Sequence, residues 1–142
     1  MHFICFMNIF YRYGKKLLED MLSERGFTMQ ELIVILVINE AESILQSKLI
    51  NFTGLDKGNF SKFLKDLEKR NYIYRQESQE YPGQNLCYLS AEGKKVVPYF
   101  KAVLEKWEAL ISKDIEAEDL KNLYRTSSKI SENIFDELDI RW

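Results

Sequence analysis

Residues 55–71 read LDKGNFSKFLKDLEKRN, and this stretch decides the fold. Phe60, Phe63, Leu64 and Leu67 fall at i, i+3, i+4 and i+7, which is one apolar stripe of an amphipathic helix. The opposite face carries Gly58, Ser61, Lys62, Lys65 and Lys69, small and polar at its start and cationic further along. Asp56 stands where an N-cap belongs, because its carboxylate accepts from the free N–H groups of the first turn. Asn71 suits the other end, since its short side chain tolerates a left-handed cap. Most basic amphipathic helices are solvated surface helices; the neighbours set this one apart.

Upstream, SKLINFTG (residues 47–54) reads as a short helix stopped by Gly54, with Leu49 and Ile50 inward. Two helices joined by a short turn at a glycine form a helix-turn-helix. Downstream, YIYRQES (72–78) and LCYLS (86–90) flank Tyr81-Pro82-Gly83-Gln84. Pro second and Gly third are the requirements of a type II turn, so the two runs predict a β-hairpin, or wing. Tyr72 and Tyr74 are expected on one strand face, Ile73 and Arg75 on the other. Ile44-Leu45-Gln46 predicts a short extended piece that pairs with the hairpin. The sum is a mainly α chain with a small β-hairpin wing, a winged helix-turn-helix.

The flanks supply further helices. Residues 2–24 predict a first helix, aromatic early (Phe3, Phe6, Phe10) and amphipathic later (Leu17, Leu18, Met21, Leu22), ended by Gly26. Thr28-Met29-Gln30-Glu31 is a capping box, and it turns the run LIVILVI, strand-like by propensity, into a core helix that continues through Asn39-Glu40-Ala41. Ser90 caps a helix over 91–113, in which Pro98 predicts a kink or a delayed start. A last helix spans 116–138, with Glu116, Glu118 and Asp119 at its start, the end that favours negative charge.

Composition sets the bounds. At 142 residues, 46% of them apolar and 13% aromatic, the chain is expected to be one domain with a real core. A net charge of −2 excludes a uniformly basic nucleic-acid binder. The distribution differs: residues 54–75 hold six Lys/Arg against three Asp/Glu, and residues 101–142 hold seven against ten. A local basic surface is all that phosphate contacts need. Cys5 and Cys87 make no disulfide framework, and the start MHFICFMNIF lacks the basic residues and cleavage site of a signal peptide. No run reaches the ~18 apolar residues of a membrane span. The expected setting is the cytoplasm. His2 is the sole histidine, so His and Cys offer too few ligands for a metal site. With no Gly-rich phosphate loop and no positioned acid/base pair, a non-enzyme without metal or cofactor is expected.

The residues also carry a resemblance. SKLINFTGLDKGNFSKFLKDLEKRNYIYRQ (47–76) resembles the DNA-binding core of the MarR-type (multiple-antibiotic-resistance regulator) transcription factors. It matches, without gaps, the family's first helix, its Gly-hydrophobic-Asp turn, its recognition helix and its L-E-K-x-x-hydrophobic-hydrophobic-x-R run, here Leu67, Glu68, Lys69, Ile73 and Arg75. Leu89-Ser90-Ala91-Glu92-Gly93 is similar to the family's L-T-x-x-G. The resemblance implies a single domain over 1–142, in which 1–26 and 98–142 build a dimer and 28–93 form the DNA-binding lobe. It implies a homodimer on a pseudo-palindromic operator in double-stranded DNA, and a repressor released by a small ligand or an oxidant. A winged helix that has lost specific DNA binding and docks a protein is the alternative.

Helix-turn-helix proteins face base edges with the start of the second helix. Here that start offers Gly58, Asn59, Ser61 and Lys62; Asn pairs with adenine and Lys with guanine in the major groove. Lys57, Lys65, Lys69 and Arg75 are expected on phosphates, with Ser47 and Lys48 adding backbone contacts. The wing departs from the family's Asp-x-Arg, since Tyr81 and Gly83 occupy those positions and the tip EYPGQN has no cation. Wing contacts weaker or less A·T-biased are expected. For an aromatic effector, Phe6, Phe10, Tyr11 and Tyr13 either line a pocket or serve core and dimer packing. Cys5 lies where the oxidant-sensing branch carries its cysteine; it is either a sensor thiol or a small buried hydrophobe.

Overall fold

Thr28 starts the core. In this computed structural model, which describes residues 1–141, the Thr28 hydroxyl accepts from Glu31 N–H at 3.3 Å and the Glu31 carboxylate accepts from Thr28 N–H at 3.2 Å. This reciprocal cap opens α3 (Met29–Ala41). Leu32, Val34, Ile35 and Ile38 of α3 are buried on more than one side, so the run is a helix that the core surrounds, and strand propensity gives way to the cap. Around it pack Leu18 and Leu22, Phe27, Phe60, Leu64 and Leu67, Ile73, Cys87 and Leu89, and Val96, Val97 and Phe100, all in one cluster. Phe27 joins two layers, edge-on to Phe100 at 4.8 Å and to Tyr72 at 5.6 Å.

The N-terminal helix is continuous in backbone but not uniform. α1 (Phe3–Ile9) passes through a π turn at Phe10–Gly14 into α2 (Lys15–Leu22), and a 3-10 turn (Ser23–Arg25) ends at Gly26 with φ +70°. The Gly14 carbonyl accepts from Trp107 Nε1–H at 3.0 Å.

β1 (Ile44–Leu45), β2 (Ile73–Glu77) and β3 (Asn85–Leu89) form an antiparallel sheet in the order β1-β3-β2. The register pairs Ile44 with Cys87, Arg75 with Cys87 and Tyr74 with Tyr88. The extended piece at 44–46 is present but one residue shorter, because Gln46 already begins α4 (Gln46–Leu49). The hairpin turn is as expected: Gly83 has φ +80° and Gln84 N–H donates to Tyr81 O at 3.1 Å. The expected pairing of tyrosines on one strand face is corrected. Tyr72 precedes β2 and packs on Phe27, whereas Tyr74 stacks on Tyr88 with centroids 5.1 Å apart.

α4 and its 3-10 extension (Ile50–Phe52) stop at Thr53, not at Gly54. The Thr53 hydroxyl donates to Ile50 O at 2.9 Å and its backbone is extended, so a side-chain cap replaces the glycine stop. α5 (Lys57–Lys69) is capped by Asp56, and Asn71 takes the left-handed conformation expected of it, φ 62°.

α6 (Ala91–Ile111) runs through Pro98 without interruption, so the delayed start is not seen. Its entry is tight. A Cβ at Gly93 would stand 2.0 Å from the Tyr72 carbonyl oxygen, which accepts from Ser90 N–H at 3.0 Å. Only glycine lets the helix and the chain before the wing approach so closely.

The chain divides into two compact units, Met1–Trp107 and Glu108–Trp142. The first holds the core and the winged lobe. The second holds the end of α6, a turn with Asp114 at φ 61°, and α7 (Ala117–Glu137), whose Leu123, Tyr124 and Ile134 are exposed.

Candidate nucleic-acid interface

The site is built on α5. Its apolar stripe fixes the helix on the core: Phe60, Leu64 and Leu67 are buried, with Phe63 packed beside them. Burial of one face leaves the other to solvent, and Lys57, Gly58, Asn59, Lys62, Lys65 and Lys69 are exposed there, while Ser61 is half-buried. The Asp56 carboxylate accepts from Asn59 N–H at 2.8 Å and from Asn59 Nδ2 at 2.7 Å. The backbone hydrogen bond from Asn59, chiefly, holds that carboxyl below the ordinary carboxylate range. Cap and candidate base reader are therefore one bonded unit.

The cations of this lobe fall into two sets. Lys48, Lys57, Lys62, Lys65 and Lys69 have no ion pair among the described residues. The two arginines are committed within the protein. Arg70 donates to the Glu31 carboxylate at 2.6 Å and to Asp66 at 2.9 Å, and its guanidinium lies 5.3 Å from the Tyr72 ring. The buried Glu31 thus serves both the cap of α3 and the end of α5. Arg75, expected on phosphate, is turned inward. Its Nε donates to Glu68 on α5 and its Nη1 to Gln46 Oε1 on α4 at 3.0 Å, with the side chain 16% exposed. Arg75 belongs to the frame that sets the wing against the two helices. Sequence spacing gave no sign of this, because Gln46 is 29 residues away.

A second tie escaped the sequence reading. Ser47 Oγ donates to Gln84 Oε1 at 3.0 Å, joining the start of α4 to the wing turn. Gln84 and Asn85 line a cleft with Ser47 and Lys57. Nothing in the local pattern of residues 80–85 signals this, as the partner is 37 residues away. The wing tip closes on itself: Gly83 N–H donates to the Glu77 carboxylate at 3.1 Å, and the buried Ser78 accepts from Tyr81 N–H at 3.1 Å.

The candidate effector residues Phe6, Phe10, Tyr11 and Tyr13 are all exposed on the N-terminal helix, as is Cys5. Phe6 and Phe10 touch each other at 6.2 Å, Arg12 lies over Tyr13 at 5.3 Å and Lys15 over Tyr11 at 5.8 Å. Cys5 is exposed on the single chain. Cys87 is buried, and burial pushes its thiol up to about 11.

The sequence model of the MarR family matches residues 25–80, most of the winged lobe. Over this stretch the chain is similar to the MarR family. It is 31% identical over 96 residues to the HTH-type transcriptional regulator SarZ of Staphylococcus epidermidis, covering 66% of this chain and 64% of that protein. The chain thus matches a little under two thirds of that relative's length. SarZ of Staphylococcus haemolyticus is 27% identical over 115 residues, 81% of this chain and 77% of the relative. Among solved structures, an uncharacterized SlyA-like transcription regulator from Listeria monocytogenes superposes with a TM-score of 0.82 at 20% identity, over 96% of this chain and 91% of that one. A mutant MarR from E. coli, crystallised with operator DNA, gives a TM-score of 0.74 at 17% identity, over 88% of this chain and 90% of that one. These likenesses establish the MarR winged-helix fold.

Proposed function

We propose that this chain is a MarR-family regulator: a homodimeric, sequence-specific DNA-binding transcriptional regulator without enzymatic activity. The observation that carries the reading is the division of cations: five lysines around the helix-turn-helix lack ion pairs among the described residues, while both arginines are bound inside the lobe. No described carboxylate pairs with those lysines, and phosphates would. The relatives named as transcriptional regulators, and the E. coli structure with operator DNA, support it.

In this reading Lys48, Lys57, Lys65 and Lys69 hold backbone phosphates, and Gly58, Asn59, Ser61 and Lys62 face base edges. The exposed Phe3, Ile4, Phe6 and Met7 of α1, too apolar a surface to leave in water, supply the dimer contact with the C-terminal helices. Two recognition helices then meet half-sites about one helical turn apart on a pseudo-palindromic operator. Repression in the cytoplasm, relieved by a small aromatic ligand bound near the N-terminal aromatic residues or by oxidation of the exposed Cys5, completes the proposal; no helix among the described residues is long and apolar enough to cross a membrane.

Selection of duplexes from a random library by the full chain tests it. Enrichment of an inverted repeat with half-sites about 10 base pairs apart, bound by two protomers, is the expected result. Absence of any enrichment at low salt would overturn the reading in favour of a protein-docking winged helix.

A further inference from the structure

A cleft of about 620 Å³ opens where the start of α4, the start of α5 and the wing turn converge. Its apolar lining is Ile50 and the buried Phe60, and its polar lining is Gln46, Ser47, Lys57, Gln84 and Asn85. Lys57 is its one cation among the described residues, and no described carboxylate lines it. The Ser47 hydroxyl occupies the acceptor end of the Gln84 amide, at 3.0 Å. Both Nε2–H donors of Gln84 are left without a protein partner among the described residues, and so is the Asn85 side chain. The cleft therefore presents amide donors and one positive charge, with the Asn85 amide oxygen beside them. A phosphodiester, with acceptor oxygens and a negative charge, meets the donors and the charge.

The geometry points to a backbone clamp: this cleft seats a phosphodiester of the bound DNA, held by Lys57 and by the amides of Gln84 and Asn85. Ser47 is a positioning residue, acting through the Gln84 amide. The inference rests on the DNA-binding reading above. It gives the arginine-free wing a role. A tip with no cation to insert in the minor groove grips the strand from outside, through uncharged donors. Such contacts fix register but carry no base information. They also add affinity without adding counterion release, because no further charge meets the phosphate.

The test uses the full chain and a duplex obtained by the selection described above, titrated at several salt concentrations. Gln84→Ala is expected to weaken binding about tenfold, two copies per dimer, with the slope of log K against log salt unchanged. Lys57→Ala weakens binding and flattens that slope by about 2, one per protomer. Ser47→Ala reproduces Gln84→Ala and adds nothing to it in the double variant, while Ser47→Thr, which keeps the hydroxyl, restores binding. A scan that replaces single phosphates by methylphosphonate should find one position per half-site that costs the wild type affinity and costs Gln84→Ala nothing. These side chains are exposed, so equal thermal melts separate binding from unfolding. Wild-type affinity in Gln84→Ala and Asn85→Ala, or a loss coupled to no single phosphate, would overturn the clamp while leaving the regulator standing. A selection that enriches no duplex would overturn the DNA-binding reading, and the clamp with it.

Discussion

Salt dependence is the sharpest consequence of how the cations are distributed. The perturbation is a rise from about 50 to about 200 mM monovalent salt during binding to a selected duplex. Lys48, Lys57, Lys65 and Lys69 have no ion pair among the described residues, so a dimer brings about eight free cations to the backbone. At about 0.9 counterion per phosphate, log K should fall against log salt with a slope of about −7, and the fourfold rise should weaken binding by about 2 × 10⁴. If Arg70 and Arg75 also reached phosphates, the count would be about twelve, the slope about −11 and the loss about 3 × 10⁶. Fluorescence anisotropy of a labelled duplex over several salt concentrations separates these cases. Arg75→Met should then lower affinity by disturbing the frame with Glu68 and Gln46, at constant slope. A slope near −11, or a slope that falls in Arg75→Met, would show that the arginines leave their protein partners for DNA. A slope near −2 would remove the lysine face from the backbone altogether.

Other outcomes follow from single contacts. Gly93→Ala must push the start of α6 off the Tyr72 carbonyl, costing about 2–3 kcal/mol and some 5–10 °C in a thermal melt. Gly58→Ala, whose Cβ would meet only Asp56 Oδ1 at an ordinary 3.5 Å, should leave stability within about 0.5 kcal/mol or raise it, yet weaken operator binding where the base edge comes close. Arg70→Met strands the buried Glu31 carboxylate; with the Arg70 side chain 36% exposed, a loss of about 1–3 kcal/mol in urea denaturation is expected. The Cys87 thiol is raised from 9.0 to about 11 by burial, so the folded state binds its proton more tightly than the unfolded one. Its stabilisation is complete below about pH 9 and lost as pH rises through about 11, and alkaline melts of Cys87→Ala should be flatter across that window. In native protein at about pH 8, a disulfide reagent should reach the buried Cys87 only on unfolding.

Much of this protein is written in neighbours three or four residues apart. The α5 stripe at Phe60, Phe63, Leu64 and Leu67, the caps at Thr28 and Asp56, the left-handed Asn71 and the Pro82-Gly83 turn each depend on local geometry, so their residues were enough to place them. The order of those elements then determined the winged helix. Where a nearby hydroxyl competed with a glycine, as at Thr53 against Gly54, the local reading slipped by one residue. Side-chain commitment lay beyond local reach. In sequence Arg75 is one more cation beside Lys65 and Lys69; only the packing of β2 against α4 and α5 brings Glu68 and Gln46 to it and takes it out of the DNA-facing set. Ser47 and Gln84 meet across 37 residues, and Glu31 and Arg70 across 39. Periodicity tells which face of an element is wet. Which wet charges are free is decided by partners that folding brings from elsewhere in the chain, because an ion pair or an oriented amide depends on distance in space.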